Sequence, residues 1–396
     1  MRIARVDPFV LKIRGVEEFA GTAGAVPATS SPASTPPAAH EYARIGAYRS
    51  LFSRDVETMM VRIQTDTGIV GYGEAQAPII PEVPKLIVEK LFRPILVGAD
   101  PFESQVLWHK LYDGTRERGH GTGFMLDALS AVDIALWDIK GKASGMPVYQ
   151  LLGGAFRTHV PVYLSGLSAT TLEGQVRLAQ TYKQEGFGAF KVFLGFNAST
   201  DIAMVEALRV ALGTDVRLMV DAHWMYDLPL ALTLGLEYER LGVHWLESPL
   251  VPENIAGHAE LASALRLPIA IGEGERTVLQ FRQILEARAA DIIQPDVGRA
   301  GGISESRRIA ALAESHHIPI APHCGVGLAA YIAAGLHLAG SIPNLDMLEY
   351  QPTMHTIANH LLVEPFEVCE GHVTLPERPG LGIEFKEEIL NRYIQD

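Results

Sequence analysis

Three carboxylates recur at a fixed interval through the middle of the chain. Asp221, Glu247 and Glu273 each follow a short apolar run, and each lies 26 residues from the next. The runs are Arg217-Leu-Met-Val-Asp221, Val243-His-Trp-Leu-Glu247 and Pro268-Ile-Ala-Ile-Gly-Glu273. Roughly that length carries a chain through a strand, a helix and two short loops to the next parallel strand. The spacing therefore predicts three neighbouring parallel strands with an acid at each C-terminal end. Oxygen ligands converging on one point suit a hard divalent cation such as Mg²⁺, which makes Asp221, Glu247 and Glu273 the candidate metal ligands. One acid after an apolar run is commonly a solvated loop residue. Three in register are much harder to explain that way.

The surrounding pattern extends the same unit. From Val160 onward, strand candidates fall at Val160–Leu164, Ala189–Phe193, Leu218–Val220, Val243–Leu246, Ile269–Ile271, Ile292–Gln294, Ile318–Ala321 and Met347–Leu348. Helical stretches such as Thr171–Glu185, Thr200–Leu212, Pro229–Leu241 and Ile303–Ser315 separate most of them. Eight such units predict an α/β fold, a modified (β/α)8-type TIM barrel with its working groups at the C-terminal strand ends.

Ahead of the barrel, Arg2–Ile13, Asp55–Thr65 and Ile69–Ala75 read as antiparallel strands, with a turn at Asp66-Thr-Gly68. Pro84–Leu96 and Phe102–Leu111 read as helices. Leu126, Leu129, Val132, Leu136 and Ile139 share one helical face that ends at Gly145-Met-Pro147. Asp127, Asp133 and Asp138 on that helix read as solvated or structural acids. At 396 residues the chain exceeds what one core usually spans. The expected division is an α+β capping domain over 1–127, a barrel over 128–370, and a segment 371–396 that returns to the cap.

A mobile loop is expected near residues 16–50. Its Ala20–Ala39 portion is almost wholly Ala, Gly, Thr, Ser and Pro, which buries little. The continuation carries His40, Tyr42, Arg44 and Arg49, side chains suited to a lid that touches substrate.

A formal net charge of −13 argues against a nucleic-acid partner. The start, Met1-Arg-Ile-Ala-Arg-Val-Asp-Pro, lacks the apolar core of a signal peptide, and the tract from Gly327 to Gly340 is too short to span a bilayer. Cys324 and Cys369 form no disulfide framework. These features lead to the expectation of a cytoplasmic protein without membrane or nucleic-acid partners.

Other strand ends also carry chemistry. Lys191 follows Ala189-Phe190, His223 lies two residues past Asp221, and Asp296 closes Ile292-Ile-Gln-Pro-Asp296. His323 closes Ala321-Pro-His323, and Glu349 follows Leu348. Titratable groups converging on one barrel mouth make a candidate catalytic site. Glu275 and Arg276, just beyond the third acid, are candidate substrate contacts. His355 and His360 follow the last strand and could approach the same mouth, although nothing in the spacing requires it.

The sequence resembles the mandelate racemase-like branch of the enolase superfamily, which includes the muconate lactonizing enzymes. The resemblance spans nearly the whole chain. It is carried by Gly71-Tyr-Gly-Glu74, Ala131-Val-Asp-Ile-Ala-Leu-Trp-Asp138, Gln294-Pro-Asp296 with Gly301-Gly-Ile-Ser-Glu305, and Leu381-Gly-Ile-Glu384. It implies a capping domain on a modified barrel, a Mg²⁺ cofactor, and removal of the α-proton of a small carboxylate substrate to give an enediolate. By the same resemblance Asp221, Glu247 and Glu273 are the metal ligands, and His323 is a base oriented by Asp296. Glu349 matches an acid that hydrogen-bonds a substrate oxygen. A homo-oligomer is implied as well.

Two departures narrow the reading. Many relatives carry Lys-x-Lys on the second strand, where this chain has Lys191-Val-Phe193, so the second base is missing and Lys191 is left to neutralise the substrate carboxylate. Many have Asp-x-Asn where this chain has Asp221-Ala-His223, and a histidine there resembles galactonate dehydratase-type enzymes that use it as general acid. The resulting expectation is a Mg²⁺-dependent acid-sugar dehydratase that forms a 2-keto-3-deoxy acid. The alternatives are a cycloisomerase acting on a sugar lactone or anhydro-sugar acid, a racemase or epimerase, and a sugar-acid-binding protein without activity.

Overall fold

The computed structural model describes residues 1–14, 41–44, 48–119, 121–169 and 171–395. Ala20–Ala39 and His40 lie outside the described residues, and so does the lid expected there.

The N-terminal part is an antiparallel sheet. Strand β1 (Ile3–Ile13) is followed by a small ribbon of β2 (Tyr42–Arg44) and β3 (Leu51–Ser53), then by β4 (Val56–Thr65) and β5 (Val70–Ala75). β4 pairs with both β1 and β5, and Gly68 turns the β4–β5 hairpin at φ 87°. The helix Phe124–Ser144 lies across β5, so close that a Cβ on Gly73 would overlap the Ala131 carbonyl. Leu126, Leu129, Val132, Leu136 and Ile139 sit in the same apolar core as Val61 and Ile63 of the sheet. The core of the cap therefore extends past residue 127. Gly145 ends the helix at φ 66°, a left-handed position that glycine adopts without strain.

Two of the acids on that helix, Asp133 and Asp138, are struts, and all three are buried rather than solvated. Asp133 accepts hydrogen bonds from the Ser304 amide at 2.9 Å and the Ser304 hydroxyl at 2.6 Å. Asp138 accepts from the Tyr72 amide at 2.9 Å and the Leu381 amide at 2.8 Å. Each joins two parts of the chain through a buried carboxylate, where a polar group needs partners.

The barrel is built from β6 (His159–Ser165), β7 (Ala189–Phe193), β8 (Arg217–Asp221), β9 (Leu246–Glu247), β10 (Ile269–Ile271) and β11 (Ile292–Ile293), paired in parallel in that order. β12 (Leu348–Tyr350) pairs in parallel with β6 and closes the ring. The predicted seventh strand, Ile318–Ala321, is reduced to single bridges from Ile320 to Ile293 and Leu345. Pro319 and Pro322 have no amide hydrogens to extend a ladder there. Beyond the ring, β13 (Val368–Cys369) and β14 (His372–Thr374) form a hairpin whose β14 pairs antiparallel with β6. The final strand, β15 (Ile394–Gln395), pairs with β1 of the cap.

Inside the ring, Tyr163, Ala189, Met219, Trp245, Ala270, Ile292, Ala321 and Met347 form an apolar cluster separate from the outer core. Each barrel position contributes one residue to this plug. Alternate strand residues face the same way, so the next inward position toward each C-terminal end lies two residues further on. Those positions are Ser165, Lys191, Asp221, Glu247, Gly272, Gln294, His323 and Glu349. One layer is oily and the next is ionic. The sequence thus places a polar floor directly on an apolar plug.

Candidate active site

Lys191 holds the centre of the floor. Its Nζ lies 2.5 Å from Glu247 Oε1, 3.0 Å from Glu349 Oε1 and 3.5 Å from Asp221 Oδ2, with all four groups buried. Burial alone would depress its pKa, but Glu247 and Glu349 outweigh that and hold the ammonium well above its ordinary value. The carboxylates respond unequally. Burial, then Glu247, lifts Asp221 well above the usual range. Glu349 resists burial because Lys191 and His323 bring it down to about 2. Both oxygens of Glu247 have partners: Oε2 accepts from Gln294 Nε2 at 2.6 Å and from Trp245 Nε1 at 3.1 Å.

Glu273 breaks the alternation. The inward position on its strand is Gly272, at φ 137°, where a Cβ would approach the Gln294 amide nitrogen to 2.7 Å. Glycine is required there, and the following residue swings its carboxylate into the mouth. Glu273 Oε1 accepts from Ser248 Oγ at 2.9 Å, and Ser248 itself sits at φ 44°.

His323 is oriented from behind. Its Nδ1 lies 2.6 Å from Asp296 Oδ2, and the same oxygen accepts from the Tyr331 hydroxyl at 2.7 Å. Asp296 Oδ1 accepts from the Gly298 amide at 2.7 Å. A carboxylate fixed this way directs the Nδ1 proton toward itself and frees Nε2 for the cavity. Nε2 lies 3.4 Å from Glu273 Oε2 and 3.8 Å from Glu349 Oε2. Burial opposes the imidazolium, yet Glu349 and the Asp296 hydrogen bond raise the pKa of His323 above its ordinary value.

His223 and Trp224 take positive φ values of 43° and 62°, an unusual pair for side-chain-bearing residues. The turn brings the His223 ring over the mouth. Its backbone amide donates to Asp221 Oδ1 at 2.9 Å, and its Nε2 is buried without a hydrogen-bond partner among the described residues. Tyr48 and Trp224 pack on the imidazole at ring-centroid distances of 4.9 and 4.4 Å.

The described residues enclose a cavity of about 1080 Å³ above this floor. Asp221, His223, Glu273, His323 and Glu349 border it, as do Phe193 and Arg276. Tyr42, Arg44 and Arg49 stand outside that lining. The Tyr42 hydroxyl instead accepts the Ile80 amide hydrogen at 3.2 Å, and Arg44 and Arg49 are exposed. Glu275 does not border the cavity either; burial and Glu273 push it up to about 7. His355 packs against Tyr350 outside the cavity.

Several cavity and supporting residues escaped the sequence reading. Trp245 and Gln294 were legible by alternation, two residues before Glu247 and Asp296. Tyr331, Arg299 and Gln76 come from a helix, a loop and a cap strand end, where no local pattern marks them.

The donor set fits a divalent cation. Asp221, His223 and Glu273 offer ligand atoms within 4.8 Å of one another. Glu247 completes the acids around Lys191, and the buried carboxylates outnumber the cations that border them, a combination that suits a hard ion. Of the sequence-predicted ligands Glu247 stands outside that group, its oxygens engaged by Lys191, Gln294 and Trp245, and His223 is gathered in addition.

Comparison with known proteins accords with this geometry. The model of the enolase C-terminal domain-like family matches residues 175–389, and that of the mandelate racemase / muconate lactonizing enzyme N-terminal domain matches 52–153. The chain belongs to the enolase superfamily, in its mandelate racemase and muconate lactonizing branch, and is an enzyme of the lyase type.

The chain is 35% identical over 347 residues to a D-galactarolactone cycloisomerase of Agrobacterium fabrum, covering 85% of this chain and 90% of the relative. It is 33% identical over 351 residues to an arabinonate dehydratase of Saccharolobus solfataricus, covering 88% and 93%. A solved enolase-superfamily member from Agrobacterium tumefaciens superposes with a TM-score of 0.91 at 31% identity, covering 100% of this chain and 99% of that one. A racemase from Streptomyces coelicolor with bound magnesium gives 0.84 at 27% identity, covering 99% and 100%. No helix among the described residues is long and apolar enough to cross a membrane.

Proposed function

We propose that this enzyme removes water from an acid sugar by β-elimination, with Mg²⁺ as cofactor. The observation that carries the reading is the pair of histidines at one cavity floor. His323 is backed by Asp296, and His223 has its Nε2 unpaired among the described residues. Elimination needs one group to take the α-proton and another to protonate the departing β-hydroxyl.

In this reading His323 Nε2 accepts the proton from the α-carbon, and Asp296 stabilises the imidazolium that forms. The electron pair moves into the carboxylate to give an enediolate. As that pair returns, the Cα–Cβ double bond forms and the β-hydroxyl leaves as water with a proton from His223. The enol product tautomerises to a 2-keto-3-deoxy acid. Lys191 supplies positive charge beneath the substrate carboxylate, and Glu349, an acceptor at the cavity wall, takes a hydrogen bond from a substrate hydroxyl. Asp221, Glu247 and Glu273 would hold the Mg²⁺, which when bound supplies positive charge beside the carboxylate as its electron density grows. Phe193, where a second base would stand, disfavours proton return from the opposite face and with it racemisation.

The test is His223→Asn, assayed for keto-acid formation and for α-hydrogen exchange in deuterated water. Loss of dehydration by about 10²–10⁴-fold with exchange retained supports the acid role. Loss of both, together with weakened Mg²⁺ binding, makes His223 a metal ligand instead. The D-galactarolactone relative supports a second reading, ring opening of a lactone. That reaction would use the same base and expel a ring oxygen, and it would appear as turnover of lactones but not of open-chain acids.

A further inference from the structure

We propose that Arg276 and Arg299 form a subsite for a second carboxylate, so that the substrate is a dicarboxylic acid sugar. This rests on the acid-sugar reading above and names the class of substrate that the same cavity selects.

The argument starts from a buried guanidinium with too few partners. Arg276 is only 8% exposed, and its Nη1 donates to the carbonyls of Gly274 at 2.8 Å and Glu275 at 3.4 Å. Its Nε has no hydrogen-bond partner among the described residues. Among the described residues its one ion pair is with Asp127 Oδ1, 3.6 Å from Nη2, with Asp296 and Glu275 acting from farther off, and Asp127 Oδ1 is likewise without a hydrogen bond there. Burial pushes Asp127 up to about 7 despite both arginines, so at neutral pH it compensates the cation only in part. A guanidinium enclosed with so little compensation is costly unless an anion joins it. The planar fork matches a carboxylate through two parallel hydrogen bonds.

Arg299 adds a second cation: burial first, and then the charge of Arg299, depress the pKa of Arg276. It is anchored rather than free, with Nε bonded to Gln76 Oε1 and Nη1 donating to the Glu273 carbonyl at 3.2 Å. Gln76 and Asp127 come from the cap side and the two arginines from barrel loops. The corner therefore lies where the two parts of the chain meet, along the same cavity as Asp221, Glu273 and His323. Lys191 and the metal end serve the carboxylate next to the reacting carbon. A monoacid would leave this second cationic corner with Asp127 as its one ion pair among the described residues.

The experiment uses the full chain with Mg²⁺ and matched pairs that differ only in the terminal carbon: galactonate and galactarate, gluconate and glucarate, mannonate and mannarate. Affinity is read by titration calorimetry and turnover by 2-keto acid formation. In at least one pair the diacid is expected to bind about 10-fold or more tightly, as charge-assisted paired hydrogen bonds allow. Arg276→Met should bring that ratio toward one, with the loss falling on KM rather than kcat. Arg299→Met should move it in the same direction, which keeps the test open if the first variant does not fold. The absence of any diacid-preferring pair in the wild type overturns the subsite, and so does a ratio unchanged in both variants. A diacid that binds through Arg276 yet loses no water leaves the subsite standing and sinks the dehydratase reading, so the two failures are distinguishable.

Discussion

His323 at the barrel mouth and His355 behind it are enclosed to nearly the same degree, 8% and 3% exposed. His355 sits among Tyr350 and Phe366, with Nδ1 lacking a hydrogen-bond partner among the described residues, and burial drives its pKa down to about 3. His337, packed on Tyr149, is driven to about 4 by the same cause. His323 is desolvated too, but Glu349, Asp296 and Glu273 lift it above its ordinary value instead. Burial alone favours a neutral imidazole, whereas burial beside carboxylates raises its basicity. The functional region is the one where enclosed charges answer one another.

Removing the cation that binds the mouth together should break this contrast most severely. Lys191→Met leaves Asp221, Glu247 and Glu349 facing each other without their shared ammonium. The metal-free protein should lose about 3–5 kcal/mol of unfolding free energy in urea melts, the usual cost of stripping one partner from a buried ion pair. Added Mg²⁺ should restore part of the loss, since a cation bound only by the folded state stabilises it. A variant that melts like the wild type without metal would show that the acids are not held as charges.

A more gradual effect, spread over pH, tests the other region. The folded-state pKa of His355 lies below its ordinary 6.5, so its contribution to stability is complete above 6.5 and is lost as pH falls toward about 3. Across that window the wild type should lose up to about 1.4 kcal/mol per pH unit more than His355→Phe. Parallel stability curves for the two proteins would mean that His355 is not held neutral by burial.

The contrast also explains what the sequence could convey. Alternation along strands carries from Trp245 to Glu247 and from Ala321 to His323, so the barrel and most of its acids were readable from position alone. Glu273 was found by spacing, although it points inward only because Gly272 breaks the alternation. At the seventh strand, apolar residues between two prolines read as a strand but sustain only single bridges. Tyr331, Arg299 and Asp127 reach the site through tertiary contacts that leave no periodic trace. Tyr42, Arg44 and Arg49 lie in an unpatterned insert, where chemistry without a register gives no position relative to the cavity.

The central claim is that His323, oriented by Asp296, removes an α-proton from a sugar carboxylate. The most direct measurement is NMR of an acid sugar incubated in deuterated water with the enzyme and Mg²⁺, comparing wild type with His323→Asn. The wild type should place deuterium at the α-carbon or in the keto product, and chelator should stop it. His323→Asn should lower that rate by about 10²–10⁴-fold while Mg²⁺ affinity stays near the wild-type value. Incorporation at an undiminished rate in His323→Asn would contradict the account, because the proton would then be leaving to another base.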